Sequence, residues 1–335
     1  VYFLIITSFD RLIFYAVLLF GVQLLDRIIY GTYCSKHFVE AKFVFTFDKR
    51  IFKEMSNIAG WSLFGNLAGV GYTQGINLLL NIFFGPAINA ARGVAVTVQG
   101  IVTGFVSNFQ MALNPQITKT YAVNDLRRMH QLIFASSKVS FFLLLLIVLP
   151  VSIYADVILK LWLKNVPDHT VWFLRLTLCI MLVEALANPL MVSSQATGRV
   201  KIYQSVVGGT LLLIVPFSYI VLRMRGVPES VFCVHLLIAV IAQTFRIVII
   251  GRYIYMSFGV YLKNVLLRVF LVLIVTSTLS VILSYSLPHT IISSLIAMGL
   301  IIMLTLGIII MLGLSNHERT LVYSKVKLLV QSKFK

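Results

Sequence analysis

The sequence predicts an all-α polytopic membrane protein, and three observations carry that prediction. The chain is 59% apolar and only 12% charged, with a mean hydropathy of +0.95, which is the composition of lipid-embedded helices. Its apolar residues gather into runs of about 20 or more, the length a helix needs to cross a hydrocarbon core roughly 30 Å thick. The connections between these runs are short, so no soluble domain of any size fits between them.

Taken in chain order, nine runs qualify, at about 12–33, 56–82, 88–114, 132–153, 170–195, 203–222, 231–250, 265–286 and 291–313. Ahead of them, "VYFLIITSFD" opens on Val1 in the middle of an apolar run, without the basic n-region or cleavage site of a signal peptide. Residues 1–8 therefore read as the remnant of a spanning helix that belongs to a longer parent chain. The second span carries "GNLAG", in which Gly65 and Gly69 form a small-xxx-small pattern that lets helices approach closely. Pro86 sits in the turn before the third span, where its fixed φ suits a helix start. Pro150, Pro189 and Pro216 fall inside or near the ends of later spans, where proline kinks a helix and frees carbonyls. The last span is followed by a tail, "ERTLVYSKVKLLVQSKFK", basic and weakly amphipathic. It is expected to lie on an anionic leaflet, each cation contributing about 1 kcal/mol.

The charges give the chain an orientation. Of 28 Lys and Arg, 17 fall in one alternating set of connections together with the tail, among them Lys36, Lys42, Lys49, Arg50, Lys119, Arg127, Arg128, Arg199, Lys263 and Arg319. The opposite set holds Arg11, Lys160, Lys164, Arg223 and Arg225. By the positive-inside rule the C-terminus is expected in the cytoplasm. The net charge of +17 is explained by this asymmetry, so nucleic acid is not expected as a partner. Cys34, Cys179 and Cys233 are scattered, giving neither a disulfide framework nor a metal site. The six histidines lack metal-ligand spacing, and no P-loop or G-x-S-x-G occurs. No catalytic residue, metal or cofactor is expected.

Polar residues inside the spans are patterned. In 88–114, Arg92, Gln99, Thr103, Ser107, Gln110 and Asn114 recur at 7, 4, 4, 3 and 4, one face of a helix. In 56–82 the set is Ser62, Asn66, Thr73, Asn77 and Asn81; in 170–195 it is Thr177, Glu184, Asn188 and Gln195. Lipid cannot satisfy such groups, so these faces look toward other helices or toward water. Each residue alone could be an interhelical hydrogen bond worth up to about 2 kcal/mol. Three continuous stripes, one with Arg92 and one with Glu184, predict a water-filled cavity suited to a polar or anionic solute.

Three readings of Arg92 stand side by side. It could snorkel to the outer interface, from about one turn inside its span. It could bind a phosphate, whose oxygens a guanidinium matches bidentately. It could pair with Glu184, although Glu184 lies some 10 residues deeper, roughly 15 Å at helical rise. Arg246, near the inner end of its span, reads as an interfacial cation, and His235 as a satisfied core histidine rather than a proton relay.

At "GWSLFGNLAGVGYTQGINLLLNIFFGPAINAARGVAVTVQG" and "SNFQMALNPQITKTYA" the chain resembles the O-antigen and capsular polysaccharide flippases of the multidrug/oligosaccharidyl-lipid/polysaccharide exporter superfamily, in particular those of the Bacteroides group. "LKLWL", "NPLMVSSQATGRVKIYQSVVGG" and "GLSNHER" continue the resemblance in the same order over essentially the whole chain. It implies about fourteen helices in two bundles of six with two added at the C-terminal end. In that register 1–8 ends one helix, 9–50 is the last helix of the first bundle with a basic cytoplasmic loop, and 51–256 is the second bundle. Residues 257–314 are then the additional pair and 315–335 the cytoplasmic tail.

The function implied is translocation of an undecaprenyl-pyrophosphate-linked oligosaccharide across the bacterial cytoplasmic membrane, by alternating access coupled to H+ or Na+. Arg92, Gln99, Thr103, Asn66, Asn77, Asn81, Asn188 and Gln195 are the expected substrate path, and Glu184 the residue that could carry the coupling ion. The nearest alternative is a drug or metabolite exporter of the same superfamily. Such exporters would favour acidic and aromatic cavities, and Glu184 is the only acid well inside a span. A membrane polymerase is less favoured, because the longest outer connection, about 154–169, carries only Asp156 and Asp168 as acids.

Overall fold

Long apolar runs with no water to satisfy their backbone leave the chain one solution, in which every amide bonds within its own helix. The structure, a computed structural model, describes residues 11–38, 47–286, 290–315 and 318–320. The remnant expected at 1–8, most of the basic loop at 39–46, and the tail beyond 320 lie outside these residues. Among the described residues there is no strand, and nine helical segments are long and apolar enough to cross a membrane.

The chain divides into two compact units, Val1–Met55 and Ser56–Lys335. The first holds α1 (Arg11–His37), which exposes Ile13, Phe20 and Tyr30 alike, as a helix can when its solvent is lipid.

The second unit is a bundle. Helix α2 (Lys49–Phe84), which enters this unit at Ser56, is joined to α3 (Pro86–Ala122) by Gly85 alone. Gly85 has φ 84° and ψ −179°, a region that glycine occupies and side chains do not, and Pro86 opens α3 at its first turn. Helix α4 (Leu126–Ile153) starts on Asp125, whose carboxylate accepts the Arg128 amide at 3.0 Å. Within the expected outer connection lies a short helix, α5 (Ala155–Trp162). Two spans are broken: 170–196 into α6 (Thr170–Glu184) and α7 (Ala187–Ala196), and 200–223 into α8 (Val200–Leu212) and α9 (Ile214–Arg223). Helix α10 (Ser230–Tyr253) completes the set around the site. The remainder is α11 (Phe258–Tyr261), a π turn at Leu262–Leu266, α12 (Leu267–Ser286), and α13 (Ile291–Ile308) with a terminal π turn at Ile309–Gly313.

The most deeply packed element is α4, which α3, α6, α12 and α13 all touch. Helix α10 packs on α6, α7, α8 and α9. Small residues set the closest approaches. A Cβ at Gly75 would come within 2.5 Å of a Val215 methyl, and one at Gly313 within 2.7 Å of the Phe142 ring. Gly208 lies against Ala68 and Gly65, whereas a Cβ at Gly69 would meet nothing within 4 Å, so of the glycine pattern read in "GNLAG" only Gly65 sits where α2 meets α8.

Two boundaries differ from expectation for physical reasons. Helix α3 does not end at 114 but continues through Pro115 to Ala122. One lost hydrogen bond bends a helix without stopping it when neighbours hold both halves. The span at 170 stops being helical one turn before Pro189, which cannot donate to the Ala185 carbonyl.

Candidate functional site

The breaks create the first polar centre. With Pro189 supplying no N–H, the Ala185 carbonyl is taken by the Gln110 side-chain amide from α3 at 3.3 Å, and Gln110 also reaches the Ser140 hydroxyl of α4 at 3.0 Å. The next carbonyl, Leu186, accepts from Gln243 of α10, again at 3.3 Å. Gln243 in turn accepts from Arg246 at 3.3 Å, and the Tyr203 hydroxyl of α8 lies within electrostatic reach of Arg246. Backbone freed within a bilayer must find such partners, because hydrocarbon offers none.

Arg246 is thus not the interfacial cation the sequence suggests. It is 7% exposed, on the face of α10 that packs against α7 and α8, with Nε enclosed and without a partner. Its seven-residue distance from the helix end made an interfacial position plausible, but the amide and phenol around it hold it inside.

A second centre lies between α2, α3, α6 and α10. Arg92 is 5% exposed. Its Nη2 donates to the Thr73 carbonyl of α2 at 3.1 Å, while Nη1 is buried with no partner. It therefore does not snorkel outward in this conformation, and it does not pair with Glu184. The basic side chain that approaches Glu184 is His235, with Nε2 at 3.8 Å from the carboxylate, too long for a hydrogen bond. That nitrogen is buried without a partner, so His235 is not the satisfied core histidine expected. Tyr72 stacks edge-on against His235 at 5.1 Å between centroids and sits in the electrostatic reach of Glu184, Arg246 and Arg92. One tyrosine thus links four ionisable side chains from three helices.

Beside Glu184 is a cavity of about 200 Å3, lined by Thr103, Ser107 and Gln110 of α3 with Leu144, Met181 and Ala185. Farther along the α2–α3 pair, Gln74, Asn77, Asn81 and Asn89 line an open recess of about 480 Å3, and Asn77 donates to Gln74 at 3.0 Å.

The residues expected on one continuous path divide among these places. Thr103 and Glu184 share the inner cavity, and Asn77 and Asn81 share the recess. Arg92 lies occluded, bonded to the residue beside Tyr72. Asn66 and Gln195 are exposed and Gln99 is half-buried, and none of the three lines either cavity. Asn188 is half-buried, with its amide oxygen enclosed and unpartnered. Sequence reasoning missed Tyr72 and Gln243. Gln243 lies one turn before Arg246 on the same face of an otherwise apolar span, which is a legible signal; Tyr72, one aromatic in an apolar helix, gives none. Among the described residues no group of His, Cys, Asp and Glu could hold a metal ion. Comparison of the chain with known families, with curated proteins and with solved structures finds no match in any of the three.

Proposed function

We propose that this chain belongs to a transporter that moves a lipid-linked, pyrophosphate-bearing oligosaccharide across the bacterial cytoplasmic membrane by alternating access. The observation that carries the reading is the enclosed charged centre: Arg92 with an unpartnered Nη1, and Glu184 facing His235, inside the bundle of the second unit, whose helices are long and apolar enough to cross a membrane. An intramembrane cation is costly and is kept where it meets a partner or a path. Arg92, held only by a backbone carbonyl, meets a phosphate when α2 and α3 separate from their neighbours. The amides and hydroxyls of Asn77, Asn81, Thr103 and Gln110 offer the donors and acceptors that sugars need. Glu184 is the acid of this site that carries the coupling cation, H+ or Na+, in this proposal.

An exporter of organic cations is the second reading, favoured by Glu184 and the Tyr72 ring beside it. Arg92 and Arg246, both within electrostatic reach of that ring, weigh against it, because they repel a cationic solute.

The test is complementation. The whole protein is produced in a strain deleted for its own flippase, with wild-type and Arg92→Ala at matched membrane abundance, and surface polysaccharide is measured. The expected result is loss of surface polymer in the variant, with lipid-linked repeats accumulating on the cytoplasmic side. Failure of the wild-type protein with its native repeat unit would overturn the reading. Full activity of Arg92→Ala would remove Arg92 from the path.

A further inference from the structure

A second concentration of charge lies away from the site, at the end of the bundle where the basic connections gather. A cavity of about 430 Å3 is lined by Arg128 and Lys138 of α4, Asn264 and Arg268 at the start of the α12 span, and Ser315 and Glu318 beyond the last helix. Three cations thus face one acid. That acid is committed: Glu318 takes both carboxylate oxygens to Lys138 Nζ, at 2.8 and 2.7 Å, and accepts from the amide and hydroxyl of Ser315. Lys138, 3% exposed, is therefore neutralised and fixed. The other acid nearby, Asp125, caps the Arg128 amide. The guanidinium groups of Arg128 and Arg268 have no acceptor among the described residues, and Arg268 lies within electrostatic reach of Lys138.

Arg128 is exposed and Arg268 half-buried, so two guanidinium groups on different helices stand open to the recess, and an anion between them relieves their mutual repulsion. Apart from Gln131 the remaining wall is apolar, with Leu132, Phe134 and Ala135, and Phe134 is held edge-on by Tyr261 at 6.0 Å. A basic recess with a largely apolar wall, between helices of membrane-spanning length, is the arrangement that receives a phosphate on an acyl-bearing molecule. We infer that this cavity is an anion site for a phosphate group, held by Arg128 and Arg268, with Glu318 as the internal counter-charge that keeps Lys138 in place. It is distinct from the Arg92 centre and does not depend on the transport reading.

Whole protein in zwitterionic micelles is titrated with phosphatidylglycerol, with phosphatidylcholine as control, and bound lipid is counted by native mass spectrometry. The expected result is selective retention of phosphatidylglycerol, weakened about tenfold or more in Arg128→Gln/Arg268→Gln. Lys263→Gln, an exposed cation outside the cavity, should leave binding as in wild type. Inorganic phosphate distinguishes the sources. Displacement of lipid at millimolar phosphate identifies a soluble phosphate ester, whereas lipid binding that phosphate does not displace identifies a membrane headgroup. Selectivity that survives the double substitution, equal loss in Lys263→Gln, or no binding of either probe would overturn the proposal. Glu318→Gln supplies an independent reading. It should lower the melting temperature in neutral micelles, and phosphatidylglycerol should restore it by placing an anion near Lys138. A drop that phosphatidylglycerol leaves unchanged would also count against the site.

Discussion

The contact between Gly75 and Val215 offers the sharpest test of how the α2 wall of the site is held. A Cβ built at Gly75 would stand 2.5 Å from one Val215 methyl, 3.2 Å from the other and 3.5 Å from the valine Cβ. Carbon atoms pack at about 3.5–4.0 Å, so Gly75→Ala creates an overlap of roughly 1 Å. A β-branched valine has one favoured rotamer in a helix and cannot swing aside. The overlap must be relieved by moving α2 from α9, and overpacking of this kind costs about 1–3 kcal/mol. Val215→Ala removes both methyls and leaves the Cβ at an ordinary contact distance. The double variant Gly75→Ala/Val215→Ala should then be more stable than the sum of the single effects predicts, by about 1–2 kcal/mol of coupling. Reversible unfolding in mixed micelles, run on the four proteins of the cycle, measures that coupling. Simple additivity would show that these helices do not meet through this pair.

Two other outcomes are expected. Gln110→Leu removes both the Ala185 and Ser140 contacts and should cost about 1–2 kcal/mol in the same assay; Gln99→Leu, on the same helix without such partners, should cost less than half as much. Burial pulls the Glu318 carboxyl upward, but its bonds to Lys138 and Ser315 outweigh that and hold it below its ordinary value of 4.5. Its contribution to stability is therefore present above that value and lost as pH falls through the lower folded one. Wild-type melting temperature should fall more steeply than that of Glu318→Gln between about pH 5 and pH 3; parallel curves would show the ion pair to be inert.

What could be read in advance follows the range of each interaction. The spans were legible because hydropathy is a local sum, and the stripes because a helix repeats every 3.6 residues. Arg92, Gln110 and Glu184 were visible as polar groups on apolar helices. Their partners were not, since Gln110 finds a carbonyl 75 residues away and Lys138 a carboxylate 180 residues away. No periodicity encodes which face meets which. Arg246 shows the same limit, because its distance from a helix end says nothing of the α7 and α8 residues that cover it. Pro115 and Pro189 show that a proline marks a place where a hydrogen bond is lost, while the surrounding packing decides whether the helix bends or breaks. The motif "GLSNHER" carried a resemblance but no chemistry until Glu318 was seen on Lys138.

The carbonyl that Pro189 leaves free has a further consequence. Ala185 is held by the Gln110 amide of α3, while the neighbouring Leu186 carbonyl, at the start of α7, takes the Gln243 amide of α10. Drawing α3 away from α6 strips Ala185 of its donor, and in a dry interior that loss has nothing to replace it. The cavity that Gln110, Glu184 and Ala185 share is large enough to admit water. Separation of these helices is therefore tied to wetting: the joint is stiff while the cavity is dry, and loosens when water takes over the work of the glutamine.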